Sequence, residues 1–256
     1  MLDLTKDIID WIKYYFEDNP DGKVICGISG GKDSTIVAAL CVEALGKDRV
    51  IGVLMPNGIQ DDINDSYEVC EYLGIEHVTV NIGSTYRNLT KQISYVTHEP
   101  VMPDSISTNL PSRLRMCTLY SITALYPNSR VVNTSNYSER YIGYSTKFGD
   151  GAGDFSPLGN LTVREVLKIG DDLGLPYELV HKTPSDGMSG KSDEEKIGFT
   201  YEDLDIYING GDIPKEVENK IEKLHNINLH KTNDMPRFDP HIYEYWKIMA
   251  QDGLRR

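Results

Sequence analysis

The chain has 256 residues, of which 39% are hydrophobic and 25% charged, and its formal net charge is −13. A negative charge of this size disfavours nonspecific binding to nucleic acid or to anionic membranes, because both require a basic protein surface. The length allows one α/β domain with a sizeable core, and we expect residues 1–256 to form a single domain.

Hydrophobic patterning predicts alternating helices and strands as far as about residue 173. Apolar residues at helical spacing predict helices over residues 3–18, 34–45, 62–73, 83–95, 110–126, 136–142 and 161–173. Short apolar runs predict strands over residues 23–28, 49–55, 77–80 and 130–133. This alternation indicates a doubly wound parallel sheet, in which ligands bind beyond the carboxyl ends of the strands. We therefore expect the loops after Ile28, Met55 and Asn133 to share one site.

The pattern changes after residue 180. Residues 182–196 are rich in Ser, Gly, Asp and Lys, which predicts a mobile loop. Two helices are predicted near 200–209 and 214–226, followed by a tail with little periodicity. The sheet is thus expected to carry a C-terminal helical extension.

Cysteine usage and the N-terminal segment both favour a cytoplasmic protein. The four cysteines have neither C-x-x-C nor zinc-site spacing, so reduced and mostly buried thiols are expected at Cys26, Cys41, Cys70 and Cys117. The N-terminal segment lacks the uninterrupted apolar core of a signal peptide, and no apolar run is long enough to span a membrane.

The strongest chemical signal is the loop Ser29-Gly30-Gly31-Lys32-Asp33-Ser34, between the first strand and the next helix. Its glycines let the backbone approach an anion, and the helix N-terminus directs N–H groups at the same point. The Asp33 carboxylate would repel phosphate unless a divalent cation lay between them, so it implies Mg²⁺. The loop is not a Walker A motif, because Cys26 stands where that motif requires glycine. The alternative, an ordinary turn with two glycines, does not account for the serines and the aspartate.

The loop resembles that of the ATP pyrophosphatases, which have the adenine-nucleotide α-hydrolase fold, a Rossmann-like fold. Further segments resemble the NAD synthetases of this superfamily, and they cover residues 54–60, 109–120, 133–139, 143–151 and 192–201. The resemblance implies an ammonia-dependent enzyme that amidates nicotinic acid adenine dinucleotide (deamido-NAD) to NAD. It implies ATP as co-substrate, an adenylated intermediate, and release of AMP and pyrophosphate.

The resemblance also assigns roles residue by residue. It places ATP at Gly27, Ile28, Ser29, Gly30, Gly31, Lys32, Asp33, Ser34, Thr134 and Ser185. It places deamido-NAD at Arg113, Lys147, Asp154, His230 and Lys231. Asp33 and Glu139 match metal-binding positions, so both are expected to bind Mg²⁺. Together with these two carboxylates, Lys147 and Asp150 are expected to be catalytic. Asp150 is the candidate for steering ammonium, and a simple turn aspartate is its alternative.

Two departures from the family pattern affect the ATP site. Relatives commonly have Lys after the Leu-Thr pair at 161–162, whereas this chain has Val163. Arg164 and Lys191 are the candidates to supply the missing positive charge. The segment 183–187, Thr-Pro-Ser-Asp-Gly, also differs from the usual loop that closes over ATP. On resemblance we also expect a homodimer, with the dinucleotide at the subunit interface.

Other functions of the superfamily fit less well. A tRNA thiolation enzyme would need paired catalytic cysteines and a basic surface, and a GMP synthetase would need a C-terminal dimerisation domain. A nucleotide sensor without turnover would have no use for both Asp33 and Glu139. Glutamine-using relatives carry an added amidase domain with a cysteine nucleophile. The stretches before Ser29 and after His230 are too short to fold alone, so free ammonia is the expected nitrogen source.

Overall fold

The computed structural model describes residues 4–181, 193–240 and 243. Within these residues the strands are β1 (Val24–Gly27), β2 (Val50–Leu54), β3 (Glu76–Thr79) and β4 (Arg130–Val131). The helices are α1 (Leu4–Tyr15), α2 (Lys32–Leu45), α3 (Ile63–Leu73), α4 (Gly83–Thr97), α5 (Asp104–Thr123), α6 (Tyr137–Ile142), α7 (Val163–Asp172), α8 (Tyr177–Val180), α9 (Asp193–Ile197), α10 (Tyr201–Ile208) and α11 (Lys215–Thr232).

The four strands form one parallel sheet in the order β3-β2-β1-β4. Val24 pairs with Val50 of β2 on one side and with Arg130 of β4 on the other. The chain builds outward from β1 to β3 and then returns to the opposite edge of β1. The strand order therefore reverses between β1 and β4, which is where parallel sheets of this kind bind ligands. The predicted doubly wound parallel sheet is confirmed.

The main core lies between the sheet and the helices α1, α2 and α7. Strands β1 and β2 are almost entirely buried, as continuous apolar runs in a parallel sheet require. Helix α1 adds Ile8 and Ile12 to this core, and Phe16 follows directly after the helix, whereas Leu4 at its start is 37% exposed.

A second apolar cluster packs the C-terminal helices against α6 and α7. Its buried members include Ile142, Val163, Tyr201, Leu204 and Ile221. Because Val163 begins α7, which also packs on the main core, the C-terminal extension is joined to the sheet by contiguous apolar packing.

Two predicted boundaries were wrong near the site. Strand β4 is shorter than the predicted 130–133, because Val132 forms an isolated bridge with Phe155 and the Asn133 N–H donates to the Phe155 carbonyl at 2.8 Å. The C-terminal part of the predicted loop 182–196 is helical from Asp193 onward, while residues 182–192 lie outside the described part of the chain. Helix α11 also extends past the predicted end at 226, to Thr232.

Helix α5 packs on the sheet through Leu114, Leu119 and Ile122, which lie against a third apolar cluster, and α4 packs on α5. Each has one fully buried residue, Gly83 in α4 and Pro111 in α5. Large apolar side chains near them are exposed at Tyr95, Val96 and Val101. No helix in the described ranges combines the length and the apolar character needed to cross a membrane.

Candidate active site

Hydrogen bonds of Ser29 and Ser34 fix the conformation of the loop after β1. Ser29 Oγ lies 3.1 Å from Ser34 Oγ and accepts from the Gly31 N–H at 3.2 Å. Gly30 has φ +79°, a conformation that favours glycine, and a Cβ there would lie 2.7 Å from the Asp65 Cβ. Helix α2 begins without a side-chain cap on Gly31, so its first N–H groups are available to an anion.

Lys32 and Asp33 form an ion pair in the first turn of α2. Lys32 Nζ donates to Asp33 Oδ2 at 2.6 Å, with the two side chains 7% and 18% exposed. Burial alone would lower the pKa of Lys32, but the charges of Asp33 and Glu139 raise it above its ordinary value. The expectation that the helix begins near Ser34, with Asp33 on an exposed loop, was wrong: Asp33 is a helical residue that compensates a buried cation.

The loop after β4 meets the loop after β1 through Asn136. The fully buried Asn136 donates from Nδ2 to Asp33 Oδ1 at 3.2 Å. Its Oδ1 accepts from the Glu139 N–H at 3.0 Å, and Glu139 completes a capping box at the start of α6. One amide side chain therefore fixes Asp33 and Glu139 relative to each other at the point where the strand order reverses.

Asp33 and Glu139 have the chemistry of a magnesium site. Burial, and then the charge of Asp33, raise the pKa of Glu139 well above its ordinary value. Two carboxylates crowded in this way are stabilised by a cation between them. The described residues contain no group of three His, Cys, Asp or Glu side chains arranged to hold a metal. Mg²⁺ usually takes one or two protein carboxylates and completes its shell with phosphate oxygens and water, so Asp33 and Glu139 are the pair that could hold it.

Asp150 shapes the turn beside this site. Its Oδ1 accepts from Ser112 Oγ at 2.8 Å and from the Thr146 N–H at 2.7 Å. Burial lowers the pKa of Arg115 and Lys231, and the charge of Asp150 opposes that change at both. The Asp150 carboxylate thus stabilises the turn through its hydrogen bonds, and its negative charge also acts on Arg115 and Lys231.

Four of the residues assigned to deamido-NAD form a connected group. Arg113 Nε donates to the Lys147 carbonyl at 3.3 Å, and Lys147 Nζ donates to the His230 carbonyl. Lys231 Nζ donates to the Gly143 carbonyl at 2.8 Å. These contacts bring α5, the turn after α6 and the end of α11 together.

A cavity of about 320 Å³ adjoins this group, beyond the carboxyl end of β4. Asp154 and Lys231 both line it, together with Asn133 and Arg140. Asp154 is also used in the fold, because its Oδ2 accepts from the Val131 N–H at 2.8 Å. The fifth residue assigned to deamido-NAD is therefore brought to the same cavity as Lys231.

The structure describes no contact with the site for Thr134 and Ser185, which were assigned to ATP, or for Lys191, a candidate to replace the missing lysine. Thr134 is half-buried in the loop after β4. Ser185 and Lys191 lie outside the described residues. The other candidate to replace the missing lysine, Arg164, is exposed at the second position of α7.

Val163 is part of the fold and not a gap in the binding site. Its side chain is 8% exposed and belongs to the apolar cluster with Ile142 and Leu204. Its N–H donates to Ser138 Oγ at 3.1 Å, and Ser138 in turn donates to the buried Asp205. The first turn of α7 is thus capped from inside the protein.

Val163→Lys is therefore expected to lower the free energy of unfolding by about 1–3 kcal/mol, because a longer charged side chain enters a packed apolar cluster. Urea unfolding without nucleotide measures the change, and Arg164→Lys, at the exposed neighbour, is the control expected to stay within about 0.5 kcal/mol. Unchanged stability together with tighter ATP binding would show that a lysine here reaches the phosphates.

The sequence-based assignments missed three side chains that organise the site. Asn133 accepts from the Ser135 N–H and donates to the Asp150 and Ala152 carbonyls. Asn136 bridges the two loops, and Arg115 donates from Nε to the Met55 carbonyl at 3.0 Å. The capping-box spacing of Asn136 and Glu139 was a readable signal, whereas the long-range contacts of Asn133 and Arg115 had none.

Comparison with known proteins agrees with this geometry. The family model described as NAD synthase matches residues 4–238. The NH3-dependent NAD+ synthetase of Alkaliphilus metalliredigens is 38% identical over 231 residues, covering 88% of this chain and 93% of that protein.

Solved structures give the same result for the fold. The NMN synthetase of Francisella tularensis superposes with a TM-score of 0.83 at 31% identity, covering 92% of this chain and 97% of that one. The NH3-dependent NAD synthetase of Campylobacter jejuni gives 0.73 at 28% identity, covering 92% and 97%. The predicted fold class, adenine-nucleotide α-hydrolase-like, is confirmed by these neighbours. The chain belongs to the NAD synthase family.

Proposed function

We propose that this chain catalyses the ATP-dependent amidation of deamido-NAD by ammonia, releasing NAD, AMP and pyrophosphate. The observation that carries the proposal is the Asn136 bridge, which holds Asp33 of the phosphate loop beside Glu139 where the strand order reverses. A carboxylate pair at the start of a glycine-rich anion-binding loop suits the cleavage of a polyphosphate.

The reaction needs ATP because a carboxylate is a poor electrophile. A carboxylate oxygen of deamido-NAD attacks the α-phosphorus, and the bond from that phosphorus to the bridging oxygen breaks as pyrophosphate leaves. Ammonia then attacks the acyl carbon, and AMP leaves with the original carboxylate oxygen. In this assignment the uncapped N–H groups after Gly31 and the hydroxyls of Ser29 and Ser34 hold the departing phosphates.

Mg²⁺ is the metal that the site would hold, with Asp33 and Glu139 as its protein ligands. When bound, it neutralises negative charge on the phosphates as the α–β bond breaks. Lys32 is a buried cation beside these carboxylates, and the charges of both keep it protonated. Asn136 keeps the two carboxylates in place.

The acceptor nucleotide is assigned to the cavity beside Asp154 and Lys231. Lys147 contacts the carbonyl of His230, the residue before Lys231, and Arg113 contacts the carbonyl of Lys147. The charge of Asp150 acts on both Glu139 and the cavity residue Lys231, and a negative charge there favours an approaching ammonium ion. It is the candidate to steer the nitrogen donor and accept its proton.

A second candidate substrate is nicotinic acid mononucleotide, which would give NMN by the same chemistry. The observation favouring it is the higher TM-score to the NMN synthetase, 0.83 against 0.73 for the NAD synthetase. The two reactions share the ATP half of the site and differ only in whether the acceptor carries an adenylate group.

The substrate is identified by offering ATP, Mg²⁺ and ammonium with each acceptor in turn and separating the products by chromatography. Deamido-NAD is expected to give NAD and AMP in equal amounts, with the larger kcat/KM. A larger kcat/KM for the mononucleotide would assign the chain to NMN formation. ADP in place of AMP would contradict both.

The nitrogen donor is expected to be free ammonia, because three of the four thiols are buried and poorly suited to act as a glutaminase nucleophile. Burial raises the pKa of Cys41 to about 12 and of Cys70 to about 11, and it raises that of Cys26 as well, whereas the reactive form is the thiolate. With glutamine as the sole donor and ammonium removed, purified protein should form no measurable NAD. Turnover comparable to that with ammonium would contradict this prediction.

The protein is also proposed to be a homodimer through α4 and α5. Together with their flanking residues, these helices expose Tyr95, Val96, Val101 and Leu125, and apolar patches of this kind mark association sites. Sedimentation over a range of concentrations tests this, and a monomer throughout would contradict it.

A single domain and a cytoplasmic location complete the proposal. Leu167 packs against both apolar clusters, which supports one cooperative unfolding transition. Three of the four thiols are buried and none of the four cysteines forms a disulfide, in keeping with a reducing compartment. Two separate unfolding transitions would contradict the proposal of a single domain. Recovery of the protein outside the cytoplasm on cell fractionation would contradict the proposed location.

A further inference from the structure

The Tyr201 hydroxyl is a buried donor that the fold leaves unused. Tyr201 begins α10, and its side chain is 5% exposed. Its hydroxyl has no hydrogen-bond partner among the described residues, a property it shares with two other buried side-chain oxygens, on Asp62 and Ser66. A buried hydroxyl without a partner is unfavourable, so its presence calls for a reason outside the packing itself.

Tyr201 packs against α6, the helix whose capping box contains Glu139, and so borders the ATP half of the site. Burial raises the pKa of the phenol, and the charges of Glu139, Asp193 and Asp33 raise it further. Glu139 and Asp33 are the two carboxylates assigned to the metal, and Asp193 also acts on Lys32. The phenol is therefore neutral and able to donate.

The position of this hydroxyl is fixed from two directions. The ring packs in the apolar cluster with Ile142, Val163 and Leu204. The backbone N–H of Tyr201 donates to Glu194 Oε1 at 2.8 Å, which ties the start of α10 to α9. A donor held this firmly loses little conformational entropy when a ligand binds.

The neighbouring carboxylates accept from other donors and not from the Tyr201 hydroxyl. Glu139 Oε2 accepts from the Asn136 N–H at 3.4 Å, and Asp193 Oδ1 accepts from the Tyr144 hydroxyl at 2.9 Å. The hydroxyl is therefore free to donate to a ligand oxygen. Val163, at the position where relatives commonly have Lys, packs in the same cluster as Tyr201.

We propose that the Tyr201 hydroxyl donates a hydrogen bond to an oxygen of the β- or γ-phosphate of ATP, and so binds the pyrophosphate that leaves. The inference rests on the proposed function, because it takes ATP as the ligand of this half-site. It adds an ATP-binding residue on α10, outside the phosphate loop, on the side where this chain has no lysine.

Calorimetric titration of the full chain with pyrophosphate in the presence of Mg²⁺, and separately with AMP, tests the role of Tyr201. Tyr201→Phe should weaken pyrophosphate binding about tenfold, as expected for a hydrogen bond to a charged group, and leave AMP binding unchanged. Tyr207→Phe is the matched control, since it alters the same helix and cluster but its hydroxyl faces Glu222. Pyrophosphate affinity should be unchanged in that variant.

Urea unfolding without ligand separates binding from a structural role. Tyr201→Phe should unfold at the same or a higher urea concentration than the wild type, because only an unpaired donor is removed. Lower stability with an equal loss of AMP and pyrophosphate affinity would overturn the inference. Unchanged pyrophosphate affinity in Tyr201→Phe would also overturn it and leave the proposed function intact, whereas failure of the wild type to bind pyrophosphate would contradict both.

Discussion

Asp33→Asn is expected to reduce AMP formation by about a thousandfold or more, because it removes a charged metal ligand whose effect on the departing phosphates is worth several kcal/mol. Asparagine is the better substitute because its amide oxygen can still accept a hydrogen bond from Lys32 or Asn136, although the negative charge beside the buried Lys32 is lost. Asp33→Ala would leave Lys32 without its partner and mix a loss of stability with a loss of rate. The measurement is single-turnover formation of AMP with saturating ATP and deamido-NAD.

Asp10→Asn is the matched control for Asp33→Asn. This variant makes the same Asp-to-Asn change on an exposed helix surface, where Asp10 pairs with Lys13. The rate of AMP formation by Asp10→Asn should equal that of the wild type. Near-normal AMP formation by a well-folded Asp33→Asn protein would remove Asp33 from the metal site.

Glu139→Gln should lower kcat by about a hundredfold to a thousandfold while changing the affinity for deamido-NAD little. The reason is that charge on the leaving phosphates develops in the transition state, where a metal held by Glu139 contributes most. Glutamine keeps the capping box with Asn136, since its amide oxygen accepts the same hydrogen bond. Steady-state kinetics and equilibrium binding of deamido-NAD measure the two quantities separately.

The fold of Glu139→Gln should be at least as stable as the wild type at pH 8 without metal. Because the folded-state pKa of Glu139 is raised, mainly by burial, its ionisation costs stability as pH rises above the ordinary range of a glutamate. Glutamine removes that dependence. Glu165→Gln changes the capping box of α7 in the same way, outside the site, and should leave kcat unchanged. An unchanged kcat with weaker deamido-NAD binding in Glu139→Gln would instead assign Glu139 to the acceptor.

The sheet and the phosphate loop could be predicted because their signals are local. A continuous apolar run followed by glycines and serines is enough to indicate β1, its loop and α2. The position of Asp33 was harder, since helix α2 begins at Lys32 and the burial of Lys32 depends on Asn136 and Glu139, which lie far along the chain. Pattern alone does not show which residue compensates a buried charge.

The second apolar cluster was the part that sequence patterns did not reveal. The role of Val163 as a packing residue depends on α6, α10 and α11 meeting around it. The unpaired hydroxyl of Tyr201 is visible only once the partners of the surrounding carboxylates are known. A resemblance to relatives predicts which side chain is absent at position 163, but only the packing shows that Val163 and Tyr201 of α10 lie in the same apolar cluster.

The central claim is that the acceptor carboxylate is adenylated, and oxygen-18 labelling tests it most directly. Deamido-NAD labelled in both carboxylate oxygens is incubated with ATP, Mg²⁺ and ammonium, and the products are analysed by mass spectrometry. One labelled oxygen should appear in the phosphate of AMP and none in pyrophosphate, because AMP leaves with the oxygen that attacked the α-phosphorus. Label in inorganic phosphate or pyrophosphate, or AMP without label, would contradict the account.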